Sequence, residues 1–345
     1  MSEPDGTSDA PAPATLATGP GGAVVHTPVM RERIVGLLAP ALRAPGAVHV
    51  DATLGMAGHA AAILQANPTA RLVGIDQDEE ALTIAEQTLR RFAGRFQLVR
   101  ARFDELPDVL DDLGITEIDS LLADLGLSSL QIDERERGFA YAADAPLDMR
   151  MDNRNPRTAA DIVNTASRRE LTQILRRYGE EPNADRIAKA IVAERAIEPF
   201  SNSARLVAVI QASLPAARRY GGGHPAKRTF QALRIEVNGE LDALQGLLPA
   251  ALDRLAVGGR IAVLAYHSLE DRLVKQAFAQ AASDAAPERL PVVPEPLLAR
   301  FEALVRGAEK PTDDEITRNP RAASARLRAV QRIRPGSIPF GKESR

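Results

Sequence analysis

The sequence contains no cysteine among its 345 residues. This absence excludes disulfide bonds, thiolate-ligated zinc, iron–sulfur clusters and every cysteine nucleophile. Any covalent chemistry on this chain must therefore use another side chain.

Long apolar runs are also missing. No stretch approaches the roughly 18 consecutive apolar residues that a membrane span needs, and the N-terminus lacks the basic start and apolar stretch of a signal peptide. We therefore expect a cytoplasmic protein that does not bind a membrane. The hydrophobic fraction of 45% and the charged fraction of 26% are those of an ordinary globular protein. The length allows one large domain with an insertion, or two modest domains.

Basic charge is not in excess overall, but it is concentrated at one end of the chain. The net charge of −3 gives no overall sign of nucleic-acid binding. Residues 318–345, however, contain eight Lys or Arg and one acidic residue, whereas residues 1–25 contain three acidic residues and no basic one. This basic C-terminal tail either contacts a polyanion or only keeps the chain end soluble.

Short apolar runs alternate with amphipathic helical patterns over much of the chain. The predicted strands are 47–50, 71–75, 118–123, 260–265 and one that begins at 96–99. Predicted helices start near Ala60, Glu79 and Leu269. Units of this length predict an α/β fold, a parallel sheet with helices on both faces.

The alternation stops between about 135 and 223, where helical patterns follow one another. Capping-box spacings at Thr158–Asp161 and Ser167–Glu170 mark two helix starts. We predict a helical insertion domain at 136–223 within a discontinuous α/β domain of 25–135 and 224–345. Residues 1–24, rich in Pro, Gly, Ala and Thr, are predicted to be disordered, and residues 282–317, with five prolines, to form a long surface excursion.

Chemistry-bearing residues follow the first two strands. Asp51 begins a turn that contains Gly55 and Gly58, and Asp76 ends the second strand, where a carboxylate can bind ribose hydroxyls. A nicotinamide dinucleotide would require G-x-G-x-x-G, which is absent, whereas S-adenosylmethionine carries no pyrophosphate and needs only one tight turn. A plain strand–turn–helix without a ligand is the alternative. The turn and Asp76 favour S-adenosylmethionine.

Ten ordered motifs then give a specific resemblance. They are HTPVM at 26–30, DATLGMAGH at 51–59, GID at 74–76, ADLGLSS at 123–129, RGF at 137–139, PLDMRMD at 146–152, YGEE at 178–181, RTFQA at 228–232, HSLEDR at 267–272 and NPR at 319–321. From about residue 26 to 332 the chain resembles the bacterial 16S ribosomal RNA (cytosine(1402)-N(4))-methyltransferases.

The resemblance implies a Rossmann-like S-adenosylmethionine-dependent methyltransferase sheet with an inserted helical domain. It also implies direct methyl transfer to the exocyclic amine of a cytidine, in the decoding region of 16S rRNA in the small ribosomal subunit. The cofactor contacts that it implies are Ala57, Gly58, His59, Asp76, Phe103, Asp124 and Gln131. Ala57 stands where glycine is common, so its φ angle is in question, and Leu130 stands where proline is common.

Two residues at predicted strand ends are candidates for catalysis. Asp124 could accept a hydrogen bond from the amine, or only cap the following turn. His267 could face the substrate, while Ser268 and Asp271 have the spacing of a helix cap. Because the chain has no cysteine, attack through a cysteine adduct on a pyrimidine ring carbon is excluded. No ligand cluster requires a metal.

Contacts with RNA are predicted on weaker grounds. Phe139 and Tyr141 could stack on a splayed base. Two or three of six arginines could contact phosphates, and the six are Arg137, Arg150, Arg228, Arg321, Arg326 and Arg328. The competing functions are a nicotinamide-dependent oxidoreductase, a noncatalytic RNA-binding module and a methyltransferase acting on a protein or a small molecule.

Overall fold

The computed structural model describes residues 27–128, 130–131, 134–139, 141, 144–215, 224–286 and 293–336. The predicted N-terminal tail of 1–24 lies outside these residues. The strands are β1 Val48–Asp51, β2 Arg71–Asp76, β3 Phe96–Arg100, β4 Ile118–Asp124, β5 Leu255–Ala265, β6 Phe301–Ala303 and β7 Arg326–Arg332.

The α-helices are described in two groups, those outside and those within the chain segment that joins β4 to β5. The first group is α1 Arg31–Leu38, α2 Gly58–Ala66, α3 Glu79–Leu89, α4 Leu106–Asp112, α11 Ser268–Ala281 and α12 Asp313–Arg318. The second is α5 Ala159–Thr165, α6 Arg168–Gly179, α7 Ala184–Arg195, α8 Ser203–Ser213, α9 Lys227–Asn238 and α10 Glu240–Arg254. Short 3₁₀ turns lie at Ala39–Leu42, Arg90–Phe92, Phe103–Glu105, Arg135–Arg137, Glu295–Leu297 and Pro320–Ser324.

The strands form one seven-stranded sheet in the order β3-β2-β1-β4-β5-β7-β6. The first five are parallel, β7 runs antiparallel to β5, and β6 antiparallel to β7. The chain moves outward from β1 to β3 and then returns to β4 on the other side of β1, which is the switch point where open α/β sheets bind ligands. The predicted doubly wound α/β sheet is confirmed.

The five predicted strands are all present, and one is longer than predicted. β5 begins at Leu255, five residues before the predicted start at 260. Gly258 and Gly259 interrupt its apolar pattern, and the pairing with β4 shifts register near the same point. A glycine pair at an irregular register hides a strand from a periodicity argument.

Both predicted capping boxes between β4 and β5 are present. The Thr158 side chain accepts from the Asp161 N–H, and Ser167 accepts from Glu170. Helix α6 ends at Gly179, and the next residue, Glu180, takes the left-handed conformation with φ of 46°.

The helical layer continues past residue 223. A Cβ on Gly179 would lie 2.6 Å from the Arg228 carbonyl oxygen, so the glycine allows α9 to approach α6 closely. Phe230 and Leu233 of α9 are buried in the same apolar cluster as Leu171 of α6. The insertion boundary at 223 stays a prediction.

The C-terminal region differs from two predictions. The predicted surface excursion at 282–317 contains edge strand β6, whose Phe301 is buried, and helix α12. The predicted basic tail contains β7, which lies within the sheet between β5 and β6. Arg332 is buried, and its guanidinium donates to the carbonyl oxygens of Asp253 and Leu255. The frequent arginines interrupt the apolar pattern by which β7 could have been predicted. Among the residues that the structure describes, no helix is both long and apolar enough to cross a membrane.

Candidate active site

A cleft of about 2000 Å³ opens at the carboxyl ends of the parallel strands. The ends of β1, β2 and β4 form its floor, and one face of α9 and the segments 27–33 and 309–324 form its sides. The predicted site residues that line it are Gly58, His59, Asp76, Phe103, Asp124, Gln131 and His267. Within the described residues, no group of three or more His, Asp and Glu is arranged to hold a metal ion.

The turn after β1 is shaped for close approach of a ligand. Ala57 is fully buried and has φ of 63°, in the left-handed region that glycine adopts most easily. A Cβ on Gly58 would lie 2.5 Å from Pro28 Cγ, so only glycine fits there without movement. No side chain caps the first turn of α2, which leaves its N–H groups available to an anionic group.

Asp76 ties this turn to the end of β2. Its Oδ2 accepts from the Gly55 N–H at 2.7 Å, and its Oδ1 accepts from the Asp78 N–H at 2.9 Å. Burial raises the pKa of Asp76 to about 6, although these backbone hydrogen bonds oppose the shift. Each carboxylate oxygen keeps a further lone pair for a ligand.

Asp51 is the site residue to which sequence reasoning gave no role beyond its place in the turn. It ends β1, is buried, and accepts from the Thr53 N–H at 3.3 Å. Burial raises the pKa of Asp51 to about 7; His59 opposes the shift, and Asp124 and Asp76 add to it. Three carboxylates at the ends of three neighbouring strands thus favour a positively charged ligand in the cleft.

Asp124 lies at the switch point, between β1 and β5. The Tyr266 hydroxyl donates to its Oδ1 at 2.8 Å, and its backbone N–H donates to Thr53 Oγ1 at 2.6 Å. His59 Nε2 lies 3.5 Å from Asp124 Oδ2. His59 is buried, and neither of its ring nitrogens has a hydrogen-bond partner among the residues described.

Tyr266 was missed because sequence reasoning stopped at its neighbour His267. Its position was the signal: it directly follows β5, whose carboxyl end lies beside that of β4. Gly126 lies two residues after Asp124, next to the Tyr266 ring. A Cβ on Gly126 would lie 3.2 Å from Tyr266 Cδ2.

Asp78 joins the β2 end of the cleft to the segment that follows β4. The Gln131 amide donates to Asp78 Oδ2 at 3.3 Å, and Arg137 donates to the same oxygen at 2.5 Å. Arg137 also donates to the carbonyl oxygens of Arg150 and Met151. Arg137 therefore holds this wall of the cleft in place and is not free to contact a phosphate.

The predicted Ser268–Asp271 cap is wrong. β5 ends at Ala265 and α11 starts at Ser268, so His267 is the N-cap and Glu270 completes its capping box. His267 Nδ1 lies 3.4 Å from the Glu270 N–H nitrogen, and its Nε2 lies 3.1 Å from Glu270 Oε1. Ser268 instead donates to Glu180, and Asp271 accepts from Arg328. Both His267 nitrogens thus face Glu270.

The predicted aromatic residues line the cleft in different settings. Phe103 is half-buried. Phe139 is buried in the helical core. The Tyr141 ring stacks on His224 with centroids 4.5 Å apart and meets the Phe230 ring edge-on at 5.9 Å.

Of the six predicted phosphate contacts, Arg321 alone lines the cleft among the described residues. Arg150 is held by Asp148, and Arg328 by Asp271. The sequence motifs did not single out the other cations that line the cleft, because these lie on separate segments. They are Arg31, Arg33, Arg102, Lys227, Arg234, Lys310 and Arg318.

Comparison with known proteins gives one family. The model of the MraW methylase family matches residues 23–333. A protein of Cutibacterium acnes named ribosomal RNA small subunit methyltransferase H is 58% identical over 319 residues, 92% of this chain and 95% of the relative. Proteins of the same name are 60% identical in Streptomyces avermitilis (90% and 97% covered) and 56% identical in Thermobifida fusca (95% and 99% covered).

Proposed function

Because the chain belongs to the MraW methylase family, we propose that it transfers the methyl group of S-adenosylmethionine to the N4 amine of a cytidine in 16S ribosomal RNA. The observation that carries the proposal is the Asp124 carboxylate. It lies at the switch point, beside the glycine turn, with one oxygen held by Tyr266. The small ribosomal subunit is the proposed partner and the cytoplasm the proposed compartment.

The residues of the cleft fit S-adenosylmethionine by their chemistry. This cofactor carries a sulfonium and an ammonium group, which suit a site with Asp51 and Asp76. We assign the free N–H groups after Ala57 to the cofactor carboxylate, Asp76 to the ribose hydroxyls and Phe103 to the adenine. His59 and Gln131 complete the proposed contacts. When bound, the cofactor supplies an electrophilic methyl group.

Asp124 supplies the hydrogen-bond acceptor that the cytosine amine needs. The lone pair of cytosine N4 is delocalised into the ring, so the amine needs orientation and an acceptor for its N–H. Tyr266 already donates to Asp124 Oδ1, so we assign the other oxygen, Oδ2, to the amine. Forming the N–C bond would leave the electron pair of the methyl–sulfur bond on the cofactor's sulfur, and N4 would then have to lose a proton. We propose that Asp124 accepts this proton and passes it to water.

His267 has a different proposed part. Its ring lines the cleft while both nitrogens face Glu270. We propose that His267 contacts the substrate and helps to fix the end of β5. The proton from N4 passes to Asp124 and not to His267.

The proposal is tested by methyl transfer to RNA. The protein is incubated with radiolabelled S-adenosylmethionine and with small subunits, or bare 16S RNA, from cells that lack this modification. With the cofactor saturating, Asp124→Asn should lower the single-turnover rate by about 100-fold, because it keeps the shape and removes the charge. The exposed Asp112→Asn is the matched control. A near-normal rate in Asp124→Asn would leave Asp124 as a binding residue only.

A further inference from the structure

We propose that Tyr266 is a positioning residue that fixes the Asp124 carboxylate for the cytidine amine. The inference rests on the proposed methyl transfer and adds a residue to it. Tyr266 lies 142 positions from Asp124 in the sequence, yet its hydroxyl donates to Asp124 Oδ1 at 2.8 Å.

Tyr266 is itself held from three sides. Its backbone N–H donates to Glu270 Oε2 at 2.8 Å. Its ring packs against the apolar cluster that contains Met30 and Leu264. One ring edge faces Gly126, whose φ of 98° and missing Cβ make room for it. The hydroxyl therefore occupies a fixed position relative to the end of β4.

The surroundings keep this hydroxyl a donor. Burial and then the Asp124 carboxylate hold the pKa of Tyr266 well above its usual value, and Glu270 of α11 and Glu315 of α12 act in the same direction. The other ionisable groups that face Asp124 are His59 of α2 and Asp51 of β1. At neutral pH, Tyr266 is therefore protonated and able to hold a carboxylate.

The contact distinguishes the two oxygens of Asp124. Oδ1 accepts from Tyr266, while Oδ2 lies 3.5 Å from His59 Nε2 and is the oxygen that we assign to the amine. Without the hydroxyl, the carboxylate can rotate between orientations, of which only some place an oxygen toward N4. Loss of the hydroxyl should therefore slow transfer and leave cofactor affinity unchanged.

The test is Tyr266→Phe in the full-length protein, which keeps the ring and removes only the hydroxyl. With small subunits and saturating cofactor, the single-turnover rate should fall about tenfold, the effect of losing one hydrogen bond to a charged group. The dissociation constant of S-adenosylmethionine should stay within about twofold of the parent value. Tyr178→Phe, a buried tyrosine in the helical core, is the matched control.

A double-mutant cycle makes the test specific to the pair. If Tyr266 acts through Asp124, Tyr266→Phe should cost little further rate in an Asp124→Asn background. Independent, multiplying losses would overturn the proposal, as would a Tyr266→Phe rate within twofold of the parent rate. If the unchanged protein transfers no methyl group, the proposed function fails first, and the positioning role fails with it.

Discussion

Lowering the pH from 7.5 to 6 should weaken the binding of S-adenosylmethionine by about 15-fold through protonation of Asp51 and Asp76. Burial raises the pKa of Asp51 to about 7 and that of Asp76 to about 6 in the cofactor-free protein. A raised pKa means that each carboxyl group is neutral below that pH and ionised above it. The cationic cofactor requires the ionised forms, so affinity should increase as the pH rises.

The magnitude follows from the two pKa values. If both groups must be ionised for binding, protonation at pH 6 weakens affinity by a factor of about 11 at Asp51 and about 2 at Asp76. At pH 7.5 the combined factor is only about 1.4, which gives the ratio of about 15. Binding should also release protons at pH 6, because the cofactor draws both groups into their ionised forms.

Isothermal titration calorimetry at pH 6, 6.75 and 7.5 checks both expectations. Parallel titrations in two buffers of different ionisation enthalpy give the number of protons released. Asp51→Asn, which keeps the shape and cannot ionise, should bind more weakly at pH 7.5 and show a pH dependence of about twofold, that of Asp76 alone. A parent dissociation constant that changes less than twofold between pH 6 and 7.5 would refute the reasoning.

Three further predictions concern other properties of the chain. Asp76→Ala should cost about 2–3 kcal/mol of cofactor affinity by calorimetry, since it removes charged hydrogen bonds; an unchanged dissociation constant in a folded variant would contradict the ribose assignment. Asp51→Asn should raise the free energy of unfolding of the cofactor-free protein in urea at pH 8 but not at pH 4. The raised pKa of Asp51 lowers the stability of the parent as the pH rises from about 4 to about 7, and asparagine removes this loss. Equal effects at both pH values would contradict this prediction. Lys227→Ala with Lys310→Ala should weaken RNA binding and flatten its salt dependence, leaving cofactor affinity alone; a salt slope like that of the parent would show that neither lysine contacts phosphate.

The sheet and its ligand-binding edge could be predicted because their signals are local. Short strands of four to seven residues end in Asp51, Asp76 and Asp124, and by the geometry of parallel sheets these residues share one edge. The question that the sequence left at Ala57 is answered by its φ of 63°. A buried alanine holds the left-handed turn there.

The remaining features depend on contacts between distant parts of the chain. Tyr266 and Asp124 meet only because β5 lies beside β4, an adjacency that periodicity does not reveal. Strand β7 was concealed because Arg326, Arg328 and Arg332 interrupt its apolar pattern, and the partners of Arg328 and Arg332 lie elsewhere in the chain. The His267 cap was missed because the boundary between β5 and α11 lies one residue from where the Ser–Asp spacing suggested.

The position of the transferred methyl group tests the central claim most directly. Small subunits lacking the modification are incubated with the protein and labelled cofactor, and the 16S RNA is digested to nucleosides for mass analysis. Direct transfer to an amine, on a chain without cysteine, predicts N4-methylcytidine as the labelled nucleoside and no covalent complex between protein and RNA. Label on carbon 5 of cytidine, or label absent from the RNA, would contradict the account.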